Sequence, residues 1–178
     1  MDVQGRKITV VGLAKSGLAI IELLHRKGAV VTASDARPLD ELPGVAEFLD
    51  ALGIRFVTQG PQALEDCDLA VLSPGVRPDQ DLFIEARRLG VSITGDVGLA
   101  LRWLRGPVVG ITGSNGKTTT TALCGHLLRE CGIPVQVGGN IGTAVAALVE
   151  TSSDSQWNIL ELSSFQTEMF EKARIHVA

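Results

Sequence analysis

The run GITGSNGKTTTT at residues 110–121 places glycines, a lysine and a row of hydroxyls directly behind an apolar, strand-like run, PVVGIT. Such a set of groups binds phosphate. The backbone N–H groups of Ser114, Asn115, Gly116, Lys117 and Thr118 would open a helix, whose dipole stabilises a nearby negative charge by roughly 0.3–1 kcal/mol. Lys117 adds a mobile cation for the outer phosphates, and the Thr118 hydroxyl is placed to bind Mg²⁺. Gly113 gives the loop its freedom. The strict phosphate-loop pattern would need a glycine at Ile111, so the competing reading is a glycine-rich turn capped by a threonine.

A magnesium nucleotide also calls for a carboxylate at the end of a neighbouring strand. In NILELSSFQ (158–166), Glu161 closes an apolar run and can meet the metal or a metal-bound water. An acid capping the next helix is the plainer alternative. A second loop, GLAKSG (12–17), also follows a strand and precedes a helix, with Asp35 at the end of the next strand. A dinucleotide fold uses these places for a pyrophosphate and a ribose, although the middle glycine of that fingerprint is here Ala14, which leaves a simple tight turn open. Ser73, Pro74 and Gly75 end another strand of the same series. GGNIG (138–142) follows the strand after the lysine loop; it is either part of a site or an ordinary glycine turn.

The elements that carry these loops alternate between short Val/Ile-rich runs and helical patterns, which points to parallel βαβ units. KITVVGL, AVVTASD, IRFVT, DLAVLSPG and VSIT read as strands, with helices in SGLAIIELLHRKG and around residues 45–52 and 80–89. A second series follows: helix VGLALRWLR, strand PVVGIT, helix KTTTTALCGHLLRECG, strand PVQVGG, helix GTAVAALVE and strand WNILELS. The reading is an α/β protein of two tandem Rossmann-like parallel-sheet units, 1–95 and 96–178, the second a truncated phosphate-loop ATPase-type domain. The last run, RIHVA, is expected to be a strand that leaves its sheet uncovered.

Composition narrows the function further. With 45% hydrophobic residues in 178, the chain can fill real cores, and no apolar run nears the roughly 18 residues needed to cross a bilayer. The cytoplasm is the expected location. A net charge of −4 gives no footprint for nucleic acid or an anionic membrane. Cys67, Cys124 and Cys131 have no metal-type spacing and read as reduced thiols, the latter two as helix core. His25, His126 and His176 have no partner motif and read as structural.

Taken together, TGSNGKTTT, GGNIG and ELSSFQ, in this order and at this spacing, resemble the Mur ligase family of peptidoglycan synthesis, and with GLAKSG and SPGV the resemblance spans the chain. The family's phosphate loop runs Thr-Gly-x-Asn-Gly-Lys-Ser/Thr-Thr, which residues 112–119 satisfy, so Ile111 is no defect. The resemblance implies that Lys117, Thr118 and Thr119 hold the phosphates of ATP, and that Thr118 with Glu161 anchors one Mg²⁺. It implies that Ala14, Lys15 and Ser16 line a uridine diphosphate site. Asp35 and Arg37 would then take the uracil-ribose end, with help from Ser73, Pro74 and Gly75. Asn140 and Gln166 would touch the sugar and lactoyl-alanine portion, with Ser163 in the same cleft.

The implied reaction joins D-glutamate to UDP-MurNAc-L-alanine through an acyl phosphate, at the expense of ATP. The implied enzyme is cytoplasmic, monomeric at full length, and has no nucleic-acid or membrane partner. Similar enzymes continue with a histidine-containing metal motif, a modified lysine for a second Mg²⁺ and a domain that binds D-glutamate. The 178 residues alone are therefore expected to be inactive. Gly98, where relatives carry an acid, and Thr167, where they carry leucine, leave another Mur-type ligase open. Readings from other classes are an NAD-dependent oxidoreductase using Asp35, and a nucleotide-binding module without catalysis.

Overall fold

The structure is a computed structural model and describes residues 2–76, 80–168, 170 and 175–177. Contacts divide the chain into two compact units, Met1–Asp96 and Val97–Ala178. Among the described residues no helix is long and apolar enough to cross a membrane.

The first unit is built on five parallel strands: β1 (Lys7–Val11), β2 (Val30–Asp35), β3 (Arg55–Thr58), β4 (Leu69–Leu72) and β5 (Ser92–Gly95), in the order β3-β2-β1-β4-β5. Central β1 and its neighbour β4 are the most continuously apolar, as strands covered on both faces must be. Ile8, Val10 and Val11 are at most 1% exposed. Helix α1 (Lys15–Arg26) buries Gly17, Ile20, Ile21, Leu23 and Leu24 on one stripe, each large aliphatic contributing about 1.5–3 kcal/mol. Helices α2 (Val45–Leu52) and α3 (Gln80–Leu89) follow β2 and β4. Gly44 and Gly53 bracket α2 with φ of 74° and 64°, a region that glycine enters without steric cost. The chain reverses its winding between β1 and β4, and their carboxyl ends open a crevice there, where open α/β sheets bind ligands.

Helix α4 (Asp96–Ala100) is shorter than the expected VGLALRWLR. Beyond Ala100 the regular i−4 pattern is interrupted by i−3 bonds at Arg102 (to Leu99) and Trp103 (to Ala100) before Leu104 returns to Ala100 O, and the helix gives way to turns.

The second unit carries β6 (Val108–Ile111), β7 (Val135–Gly139) and β8 (Trp157–Glu161), parallel and in the order β6-β8-β7. Helix α5 (Lys117–Glu130) connects β6 to β7. The helix expected in GTAVAALVE is the single turn α6 (Val145–Leu148), and α7 (Ser164–Glu168) follows β8. Asn158, fully buried in central β8, donates to Arg105 O and Pro107 O and accepts from Gln136 Nε2 at 2.6 Å, which pins β8 to both neighbours.

Two expectations need correction. The strand expected in RIHVA is a single parallel bridge, Val177 to Val109, with Val177 O accepting from Gly110 N at 2.9 Å; Arg174 and Ala178 lie outside the described residues. Cys124 and Cys131 are not core: Cys124 is half-buried and Cys131 is exposed, because it caps the solvent-facing end of α5. All three cysteines are free thiols.

Candidate functional site

In the first unit, Gly12 leaves β1 at φ 95° and Gly17 enters α1 against it. A Cβ on Gly17 would lie 1.8 Å from Gly12 O, and one on Gly12 would lie 2.9 Å from Ser73 Cβ. The first and third glycines of GLAKSG are thus imposed by packing. Ala14 stands in the extended region (φ −74°, ψ 179°), where a side chain is no strain. Around this turn a cleft of about 490 Å³ is lined by Leu13, Ala14, Asp35, Arg37, Ser73 and Gly75, among others. Lys15 is exposed and Pro74 half-buried beside it.

Asp35, 6% exposed, is the electrostatic centre of that cleft. Its Oδ2 accepts from Leu13 N at 2.8 Å and Arg37 Nη2 at 3.4 Å; its Oδ1 accepts from Arg37 N at 3.0 Å and Nε at 3.1 Å. Burial pushes the carboxyl up, but the Arg37 guanidinium and the two backbone N–H groups outweigh it and hold it below the usual carboxylate value. Four donors occupy the four or so acceptor sites of a carboxylate. Asp35 therefore holds the loop at Leu13 and aims the exposed Arg37. Ser73, 3% exposed, has a hydroxyl with no hydrogen-bond partner among the described residues. Ser16 donates its hydroxyl to Asp96 Oδ2, a buried acid outside the sequence motifs. The available signal was its place directly after β5, at the ligand-binding end of the sheet. Gln59, also in the cleft wall, carried no signal.

In the second unit, pairing places Ile111, Glu161 and Gly139 side by side at the carboxyl ends of β6, β8 and β7. The lysine loop, the acid and the GGNIG turn are thereby brought to one edge. Gly139, at φ 103°, fits only as glycine, since its Cβ would lie 2.2 Å from Glu161 O. Asn140 N then donates to Glu161 O at 2.8 Å. GGNIG is thus moulded to the acid.

Glu161 is 3% exposed and, among the described residues, pairs with no cationic side chain. Its Oε2 accepts from Thr118 Oγ1 at 2.7 Å and its Oε1 from Asn140 Nδ2 at 3.4 Å. A buried carboxylate without a counter-charge beside a hydroxyl suits a small hard cation, which takes one or two protein oxygens and completes its shell with water and phosphate. Among the described residues no group of three or more His, Cys, Asp or Glu side chains adds to them.

Gly113, Ser114, Asn115, Gly116 and Thr119 are all exposed, and Gly113 and Gly116 have positive φ. Lys117 Nζ donates to Gly113 O at 2.7 Å, folding the lysine across its own loop. Ser163 and Gln166 cap α7 reciprocally: Ser163 N donates to Gln166 Oε1 at 2.7 Å, and Gln166 N donates to Ser163 Oγ at 3.3 Å. This capping box leaves Gln166 Nε2 as the group able to meet a ligand.

Comparisons with known proteins agree with these motifs. The family model described as Mur ligase MurD-like, N-terminal domain, matches residues 6–95, and Mur ligase middle domain matches 111–178. The UDP-N-acetylmuramoylalanine–D-glutamate ligase of Solibacter usitatus is 56% identical over 99% of the chain and 39% of its own length. That of Acidobacterium capsulatum is 47% identical over 100% of the chain and also 39% of its own length. The chain thus spans about two fifths of the length of these curated relatives. Among solved structures, the UDP-N-acetylmuramate:L-alanyl-gamma-D-glutamyl-meso-diaminopimelate ligase from Neisseria meningitides shares the fold, with a TM-score of 0.58 at 17% identity, over 96% of this chain and 56% of that one.

Proposed function

Because the chain belongs to the Mur ligase family, we propose that it is the nucleotide-binding portion of an ATP-dependent amide ligase that adds D-glutamate to UDP-MurNAc-L-alanine in the cytoplasm. The first unit receives the uridine diphosphate end, and the second receives ATP. The names of the curated relatives support the substrate assignment. The observation that carries the chemical half is the Thr118–Glu161 hydrogen bond of 2.7 Å beside the lysine loop.

In the proposed reaction a carboxylate oxygen of the alanyl residue attacks the γ-phosphorus of ATP and ADP departs. The amine of D-glutamate then attacks the acyl carbon, and phosphate leaves with the bond pair. Two polyanions must meet, so charge neutralisation dominates. Lys117 leaves Gly113 O to contact the β- and γ-phosphates, while the loop amides of residues 114–118 hold phosphate oxygens. Thr118 and Glu161 would hold Mg²⁺, which when bound offsets phosphate charge. Asn140 and the free amide of Gln166 face the substrate arm, with Ser163 fixing Gln166. Arg37, Ser73, Gly75 and the loop at Ala14, Lys15 and Ser16 surround the nucleotide, with Asp35 holding that loop. No side-chain nucleophile takes part. Nothing in these residues is assigned to D-glutamate.

Lys117→Ala tests the phosphate half. Fluorescent ATP-analogue binding to the chain should fall at least about tenfold, with the melting temperature lowered by no more than a few degrees, because half-buried Lys117 donates to Gly113 O of its own loop, a bond worth about 0.5–1.5 kcal/mol. Undiminished binding would remove Lys117 from the site.

A further inference from the structure

We propose that Gln59 is a specificity-determining residue of the first unit, its side-chain amide reading the uracil edge of the substrate at N3–H and O4. The inference rests on the reading of that unit as a uridine diphosphate site. It starts from where the strand order puts the residue. The order β3-β2-β1-β4-β5 sets three carboxyl ends in a row: the Gly12–Gly17 turn after β1, Asp35 at the end of β2, and Gln59 directly after Thr58 at the end of β3. In sheets of this kind the diphosphate lies at the first turn and the ribose at the end of the next strand. Gln59 stands one strand further out, two strand spacings or about 10 Å from the turn, on the side to which a base extends. Its main chain is fixed there, because Thr58 is the register partner of Asp35 and Gln59 N donates to Asp35 O at 2.9 Å.

Chemistry singles out the same side chain. Uracil shows a donor, N3–H, beside an acceptor, O4, and a group with an acceptor and a donor side by side answers both. Among the described residues that line the cleft, the polar side chains are Asp35, Arg37, Gln59 and Ser73. Ionised Asp35 can only accept and Arg37 can only donate, and the two are already bonded to each other. Ser73 belongs to the turn, since a Cβ on Gly17 would come within 3.1 Å of its Oγ. Gln59 is half-buried, and its amide has no hydrogen-bond partner among the described residues. Oε1 is thus available to accept from N3–H while Nε2 donates to O4, the Watson–Crick edge by which unstacked bases are read.

The test is calorimetry of the 178-residue chain with UDP, with 3-methyl-UDP, whose N3 carries a methyl group in place of the proton, and with CDP, on the unmodified chain, Gln59→Ala and Gln59→Glu. Both variants keep the main-chain bond to Asp35 O and lose no side-chain bond, so their melting temperatures should match the unmodified chain. The unmodified chain should bind 3-methyl-UDP at least about tenfold more weakly than UDP, and in Gln59→Ala that gap should close to about threefold or less, because the variant has already lost what the methyl group blocks. Gln59→Glu sets an acceptor against O4 of uracil but against the N4 amino group of cytosine. Its preference for UDP over CDP should therefore fall at least about tenfold relative to the unmodified chain. An amide can turn over to suit either base, so the charged variant is the one that discriminates. The same methyl gap in Gln59→Ala as in the unmodified chain, or an unchanged UDP-to-CDP ratio in Gln59→Glu, would overturn the proposal and leave Gln59 as cleft wall. Failure of the unmodified chain to bind UDP would instead end the uridine reading itself, and is seen before any variant is made.

Discussion

Thr118 and Glu161 lie 43 residues apart in sequence, yet the threonine hydroxyl donates to the glutamate Oε2 at 2.7 Å. Two strand ends make this possible, because Ile111 and Glu161 are register partners and the loop returns from Ile111 to open α5 beside them. A hydroxyl and a carboxylate so placed offer two hard oxygens to one cation without rearranging the sheet.

Glu161→Gln separates charge from shape at this point. The amide oxygen can still accept from Thr118, so the melting temperature should move by no more than about 2–4 °C. The gain in ATP-analogue affinity on adding Mg²⁺ should fall at least about tenfold, while binding in EDTA stays the same. Binding titrations with and without Mg²⁺ check this, and an unchanged Mg²⁺ effect would take Glu161 out of the metal site.

Gln166 has two roles that substitution can tell apart. Its Oε1 closes the cap on Ser163 N, while its Nε2 is the part proposed to face substrate. Gln166→Glu keeps the cap, since Glu serves a capping box as well as Gln, and should preserve the melting temperature. The same change should weaken UDP-MurNAc-L-alanine by about tenfold or more, because a carboxylate replaces a donor. Gln166→Ala should lose both, with about 1 kcal/mol of stability gone. If Gln166→Glu binds normally, the residue is a cap and nothing else.

Acid should weaken the first unit through Asp35. Its folded carboxyl is held below the ordinary value of 3.8. The stability it contributes is therefore present above the unfolded value and is lost as pH falls through the lower folded value. Asp35→Asn should cost about 1–3 kcal/mol near neutral pH, and this deficit should shrink below about pH 4, as denaturation between pH 7 and 2.5 would record. The exposed pairs Arg88–Glu85 and Arg105–Asp154 also depress their acids, but surface pairs contribute little. A deficit that stays constant with pH would mean that Asp35 is not the titrating clamp.

The parallel α/β class was legible because Val- and Ile-rich runs such as KITVV and WNILE alternate with amphipathic helices such as α1. Helix ends were less legible. Nothing local to VGLALRWLR signals that i−3 bonds interrupt it after Ala100, and GTAVAALVE is helical for a single turn because Thr143 is held in a bridge to Gly138, with its carbonyl accepting from Gly139 N. Cys124 and Cys131 look apolar in sequence, but their exposure depends on which side of α5 meets the sheet, a tertiary fact. At the sites, motif order brought attention to Thr118, Glu161 and Asn140, while the hydrogen bonds among them required the strand register. Ser16 and Asp96, 80 residues apart, had no local sign of contact. The Ser-x-x-Gln spacing of a capping box was readable in SSFQ, but the same residues also read as ligand contacts, and only the geometry displayed the cap.

The most direct measurement of the central claim is calorimetric titration of the 178-residue chain with UDP-MurNAc-L-alanine and, in parallel, with NAD. The ligase account requires saturable binding of the uridine substrate at one site per chain, lost or strongly weakened in Arg37→Ala, and no binding of NAD. Saturable NAD binding with no heat from UDP-MurNAc-L-alanine would contradict it.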